Sequence, residues 1–136
     1  MNDLSIAIGS TAEVIQKVKP EDLASILGED NDIFPKVFST SKMIALMELA
    51  ASRVLKKFLS NGECSVGIEI NVNHLSPTSI GEKVRAQAIL IDFADNVFTF
   101  TVQASDESGL IGEGTHKRSV VDIERLEKGA LRKINL

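Results

Sequence analysis

Near Asn61 the hydrophobic period of the chain changes from helical to alternating, and that change limits the folds open to it. From about Ser41 to Phe58, around "MIALMELAASRVL", apolar residues recur at helical spacing. Ser39-Thr40-Ser41 offers N-cap candidates and Asn61-Gly62 a stop. From Cys64 onward the period is two. Residues 64–75 place Val66, Ile68, Ile70, Val72 and His74 on one face, with Ser65, Gly67, Glu69, Asn71 and Asn73 on the other. Residues 82–92 align Val84, Ala86, Ala88 and Leu90. Residues 97–105 align Phe98, Phe100, Val102 and Ala104, and residues 110–123 form a last strand. "SPTSIG", Asp95-Asn96 and "DESG" read as the turns between them. Upstream, residues 5–18 read as a strand with a glycine break. Pro20 starts a short helix that Gly28 can end, and residues 28–40 are loop-like. The tail from Glu124 is polar, a short helix or a frayed end. Consecutive strands on short connections pair antiparallel, and a long helix with a broad apolar face needs cover. The expected architecture is α+β, an antiparallel sheet curled around one long central helix.

Composition removes several function classes. The chain has 136 residues, a net charge of −4 and no basic block, which argues against a nucleic-acid surface. No apolar run approaches the roughly 20 residues of a membrane span. "MNDLSIAIGS" has neither the basic start nor the apolar segment of a secretory signal. One cysteine, Cys64, allows no disulfide within the chain and fits a reducing compartment, so a cytoplasmic location is expected. With His74 and His116 the only histidines, no Cys/His metal site is expected. There is no repeat, linker or low-complexity stretch, so residues 1–136 read as a single domain.

Two ionisable groups break the apolar pattern. Glu48 lies within about 60° of Ile44, Ala51 and Leu55 on the helical wheel, and no cation stands three or four residues away. His74 ends an apolar strand face. If helix and sheet pack by these faces, acid and imidazole enter the same layer, an arrangement suited to general acid/base chemistry. The plainer readings stay open. Glu48 can sit at the edge of a wide helix and reach solvent, and His74 can be a satisfied strand-end residue. A β-bulge before His74 would flip its face. His116 reads as structural or surface, Lys117-Arg118 as a solvated pair, and Cys64 as an ordinary strand residue. No nucleophile elbow, dinucleotide fingerprint or P-loop occurs; "GLIGEG" lacks the required spacing.

The segments "VFSTSKMIALMELA", "NVNHLSPTSIGEKV" and "GEGTHKRSVV" resemble the hotdog-fold thioesterases, most closely the fluoroacetyl-CoA thioesterase-like branch. The resemblance runs from about Phe34 to Ile123. It implies an antiparallel sheet wrapped around the helix, and a homodimer with two acyl-CoA sites at the subunit interface. It also implies a catalytic threonine, glutamate and histidine at Thr40, Glu48 and His74. Gly67 would lie near the acyl group, Phe34 would shield the pocket, and Arg118, with Lys117 and Lys42, is a candidate for holding the substrate. Eight helical residues rise about 12 Å, so Thr40 and Glu48 meet only if the chain bends or the site spans two subunits. The activity implied is hydrolysis of a small acyl-CoA thioester, with no cofactor beyond the coenzyme A of the substrate. A non-catalytic acyl-CoA or small-ligand binding protein is the alternative. A hydratase would need an acid close before His74, and the nearest, Glu69, falls on the opposite strand face by parity.

Overall fold

The computed structural model describes residues 8–134. Residues 5–7 of the expected first strand lie outside that range. Strand β1 runs Thr11–Lys17, and two single 3₁₀ turns follow at Pro20–Asp22 and Ala24–Ile26, where a short helix was expected. Helix α1 is Thr40–Lys56, and four strands come next: β2 Glu63–His74, β3 Lys83–Ala94, β4 Val97–Asp106 and β5 Gly109–Asp122. Helix α2, Ile123–Ile134, closes the described chain and buries none of its residues.

The five strands form one antiparallel sheet in the order β1-β3-β4-β5-β2. The β3–β4 and β4–β5 neighbours are consecutive, as the turn signals require. Asp95 and Asn96 both have positive φ, 51° and 59°, the two-residue turn that matches the twist of a hairpin. The "SPTSIG" segment is no hairpin turn. It carries the chain from β2 at one edge across to β3, and β2 pairs with β5 instead. Eight residues, 75–82, can span roughly 26 Å, ample for crossing three strand spacings.

Helix α1 lies across one face of the sheet. Met43, Leu46, Met47, Ala50, Ala51, Val54 and Leu55 are buried against Val84, Ala86, Ala88, Leu90, Phe98, Phe100 and Val102. Small residues on β3 let the helix come close, and the phenylalanines of β4 fill the remaining depth. Gly112 of β5 serves the same end: a Cβ there would stand 2.5 Å from the Met43 sulfur.

The helix starts one residue earlier than expected because Ser39 is the cap. Its Oγ accepts from the Lys42 amide at 3.1 Å. That frees Thr40, the first helical residue, to face outward. Asp22 is buried and accepts from Gln16 Nε2 (3.1 Å) and the Lys19 amide (2.9 Å), with Lys42 Nζ 3.5 Å away. Its carbonyl accepts from the Ser39 amide at 2.9 Å, so the 3₁₀ segment is tied to the helix start.

Candidate active site

Strand β2 does not alternate cleanly. Its ladder with β5 slips between Gly67 and Glu69, leaving Ile68 as a bulge. Gly67 pairs with Arg118, Ile70 with His116, Val72 with Gly114 and His74 with Gly112. Directly opposed residues share a face, and Gly112 points at α1. Ile70, Val72 and His74 therefore face the helix, as the alternation requires. Val66, paired with Ser119, faces away, and Ser65 and Gly67 face inward, contrary to strict parity. The bulge is the reason: Gly67 and His74 are an odd number of residues apart, and one extra residue puts both on the helix side.

Two clusters result. At the start of α1, Thr40 Oγ1 and His74 Nδ1 are 2.8 Å apart. They line a cleft of about 510 Å³ with Leu27, Phe34, Pro35, Leu75 and Pro77. His74 Nε2 is buried and has no hydrogen-bond partner among the described residues. The Phe34 ring rests on Gly28, where a Cβ would stand 2.8 Å from the ring edge. Phe34 is 44% exposed and forms part of the cleft wall.

The second cluster surrounds Glu48, two turns further along α1. A cavity of about 240 Å³ is lined by Glu48, Gly67, Ile68, Ile70 and His116. Glu48 is at the boundary of the helix face, its side chain 43% exposed, so the plainer reading of it holds in part. Arg118 Nη1 lies 3.9 Å from Glu48 Oε1. Arg118 is buried rather than solvated, which corrects the expectation for "HKR". Its Nε donates to Ser65 Oγ (2.9 Å), Nη2 to the Ser65 carbonyl (2.8 Å), and Nη1 to His116 Nε2 (3.1 Å). A guanidinium only donates, so His116 Nε2 is the acceptor and its proton sits on Nδ1. That proton goes to the Glu69 carbonyl at 2.8 Å.

Burial holds the His116 pKa below the ordinary histidine value. The Arg118 charge adds to this, and the Glu69 carbonyl and Glu48 oppose it. Burial likewise lowers the Arg118 pKa, against the pull of Glu48. Lys117, the other half of the expected pair, lies 3.3 Å from Glu69 on the outer face of the sheet. Glu69 therefore stays away from His74, as parity suggested. Lys42, a further candidate, is engaged by Asp22.

The sequence candidates thus separate within one chain. Thr40, His74 and Phe34 share one cleft; Glu48 and Gly67 line another cavity, and Arg118 is buried behind it, 3.9 Å from Glu48. His116 is a site residue that sequence reasoning set aside. Its one signal was its place two residues before Arg118 on the same strand face.

Residues 18–124 match the family described as fluoroacetyl-CoA-specific thioesterase. The chain belongs to that family. A curated relative, the fluoroacetyl-CoA thioesterase of Streptantibioticus cattleyicolor, is 38% identical over 92 residues, 68% of this chain and 66% of that protein. The solved structure of the fluoroacetyl-CoA thioesterase FlK superposes with a TM-score of 0.88 at 31% identity, covering 93% of this chain and 96% of that one. A variant of it in complex with fluoroacetate and CoA superposes with a TM-score of 0.82 at 30% identity, over 88% and 98% of the two chains. A thioesterase superfamily member from Thermus thermophilus gives 0.87 at 26% identity, over 99% and 96%. The fold is therefore the hotdog fold of the fluoroacetyl-CoA-specific thioesterase family, a family of thioester hydrolases. Among the described residues no helix is long and apolar enough to cross a membrane, and no group of three or more His, Cys, Asp or Glu is placed to hold a metal.

Proposed function

We propose that this protein hydrolyses a small acyl-CoA thioester, in a site that a homodimer builds from Glu48 of one subunit and Thr40 and His74 of the other. The observation that carries this reading is the separation of the two clusters. Thr40 and Glu48 are eight residues apart on one helix, about 12 Å along its axis. Neither cluster alone has both a carboxylate and an imidazole free to act on an acyl group.

Strand β2 supplies the way to join them. It is a twelve-residue edge strand, with Ile68 and Ile70 exposed beside it. Such an edge pairs readily with another chain. Antiparallel pairing of two copies of β2 about a two-fold at Asn71, with Ile68 left out of the ladder as a bulge, sets Gly67 of each opposite His74 of its partner on the same face. A closed two-fold dimer makes this contact twice and leaves neither β2 edge open.

In the joined site the acyl group occupies the cavity beside Gly67, with the buried Arg118 charge behind it. Glu48 acts on water as a general base, or attacks the thioester carbonyl itself, the C–S bond breaking to release the coenzyme A thiolate, and water then cleaves the mixed anhydride to free the acid and Glu48. His74 positions the water and moves the proton, and Thr40 orients the imidazole through Nδ1. Phe34 covers the cleft through which the coenzyme A arm leaves. Beyond that coenzyme A no cofactor is required, and the location proposed is the cytoplasm. The FlK complex with fluoroacetate and CoA supports this substrate class, but no residue here speaks for fluorine.

A free-thiol assay on acetyl-, branched-, aromatic- and halo-acyl-CoA tests the reading, with Glu48→Gln and His74→Ala as controls. Thiol release that both substitutions abolish supports it. Full activity in both variants removes the assignment. Tight binding of an acyl-CoA without turnover would instead indicate a binding protein on the same fold.

A further inference from the structure

We propose that His116 is a positioning residue that holds Arg118 at charge distance from Glu48 and keeps the two from closing into a tight ion pair. The inference rests on the reading of Glu48 as the reacting carboxylate.

The Arg118 guanidinium has its Nε and Nη2 donors engaged by Ser65, which fixes its plane. Nη1 is the donor nearest the cavity and has two acceptors in reach. His116 Nε2 takes it at 3.1 Å; Glu48 Oε1 stands off at 3.9 Å. The second distance lies beyond hydrogen-bond range, whereas a closed arginine–carboxylate pair sits near about 2.8 Å. Nη1 carries two N–H groups, so the bond to His116 leaves one free; what that bond does is hold the guanidinium back from Glu48, and without it nothing at Nη1 opposes the pull of the carboxylate. The Glu48 side chain is half exposed and free to swing, so the carboxylate would fold onto the guanidinium. A carboxylate so paired is a weaker base and nucleophile, and it is turned toward Arg118 rather than the acyl group. His116 also forms one wall of the cavity, its Cε1 3.2 Å from where a Cβ on Gly67 would stand.

The imidazole itself is held at both ends. The Glu69 carbonyl takes the Nδ1 proton, which leaves Nε2 bare toward Arg118. The same bond anchors the strand just past the Ile68 bulge. The residue therefore has two jobs that different substitutions separate. Asparagine can place an amide near Nδ1 and keep the bond to Glu69, but it does not reach Arg118. Glutamine can place a carbonyl near Nε2 and keep the bond from Arg118.

The experiment compares His116→Asn and His116→Gln in turnover, and determines crystal structures of wild type and His116→Asn. The expected result is that His116→Asn loses about tenfold or more in kcat while KM moves about twofold or less, and that His116→Gln keeps most of the turnover. In the His116→Asn crystal, Nη1 and Oε1 should close to hydrogen-bond distance. An anchoring role alone gives the reverse order, with His116→Gln the more damaged, and overturns the proposal. Equal losses in both variants, or an unchanged Arg118–Glu48 gap, also overturn it. Should wild type hydrolyse no acyl-CoA, the functional reading fails, and the crystal distances still decide the proposal. Should His116→Asn not fold, nitrogen NMR of the wild-type imidazole decides: a proton on Nδ1 and a bare Nε2 support it, and the opposite tautomer ends it.

Discussion

Gly67 lies against Glu48 where any side chain would displace the carboxylate: a Cβ at position 67 would stand 2.5 Å from Glu48 Oε1. The closest atom is the far end of a flexible, half-exposed side chain that moves aside at little cost, but His116 Cε1, 3.2 Å away, belongs to a ring held at both ends and must give by a few tenths of an ångström. Gly67→Ala should therefore cost about 1 kcal/mol of stability. It should still lose about tenfold or more in kcat/KM, because the displaced group is the reacting one. Thermal unfolding and thioester kinetics on the one variant check both halves.

Ser39 and Thr40 are adjacent hydroxyls with opposite duties. Ser39 caps α1, and Ser39→Ala should lower stability by about 1 kcal/mol while leaving KM nearly unchanged. Thr40 makes no cap bond and meets His74 instead. Thr40→Val should lower kcat about tenfold with little change in melting temperature, and Thr40→Ser should recover most of the loss. Equal stability losses at the two positions would mean that both are helix-capping residues.

Phe34 should govern substrate retention more than chemistry. Its ring walls the Thr40–His74 cleft and is itself half exposed, so little of the core depends on it. Phe34→Ala should raise KM by about five- to thirtyfold, the range expected for losing about 1–2 kcal/mol of apolar contact. A fall in kcat at constant KM would place the ring in the chemistry instead.

His116 ties stability to pH in a definite direction. Its folded pKa is lowered, chiefly by burial, so the unfolded chain binds this proton more readily than the folded one. The stability it contributes is complete above the unfolded histidine value near about 6.5, and falls as pH drops from there through the folded value. The slope in that window is at most about 1.4 kcal/mol per pH unit from this group. His116→Gln should flatten the rise in unfolding free energy from acid to neutral pH. An equal slope in both proteins would assign it to other groups.

Much of this architecture was legible in the periodicities. The helix, each of the late strands and the inward set on β3 and β4 follow directly from spacing, because those elements bury one regular face. The edge position of β2 was not, since an eight-residue link can be a turn or a crossing and composition does not decide. The Ile68 bulge was equally hidden. It is a register event set by β5, and it alone reconciles Gly67 and His74 on one face. Arg118 was misjudged because its partners, Ser65 and Glu48, come from other elements. Glu48 and His74 were singled out for sound reasons, as charges on apolar faces, yet one chain keeps them in different hollows.

Complementation between two dead variants tests that last point most directly. Glu48→Gln and His74→Ala homodimers would be unfolded together, refolded, and the heterodimer isolated by differential tags. If each site takes its carboxylate from one subunit and its imidazole from the other, the heterodimer carries one intact site and one doubly damaged site. It should regain about half of the wild-type turnover per dimer. If Glu48 and His74 of the same chain work together, neither site is whole, and a heterodimer as inactive as its parents would contradict the shared site.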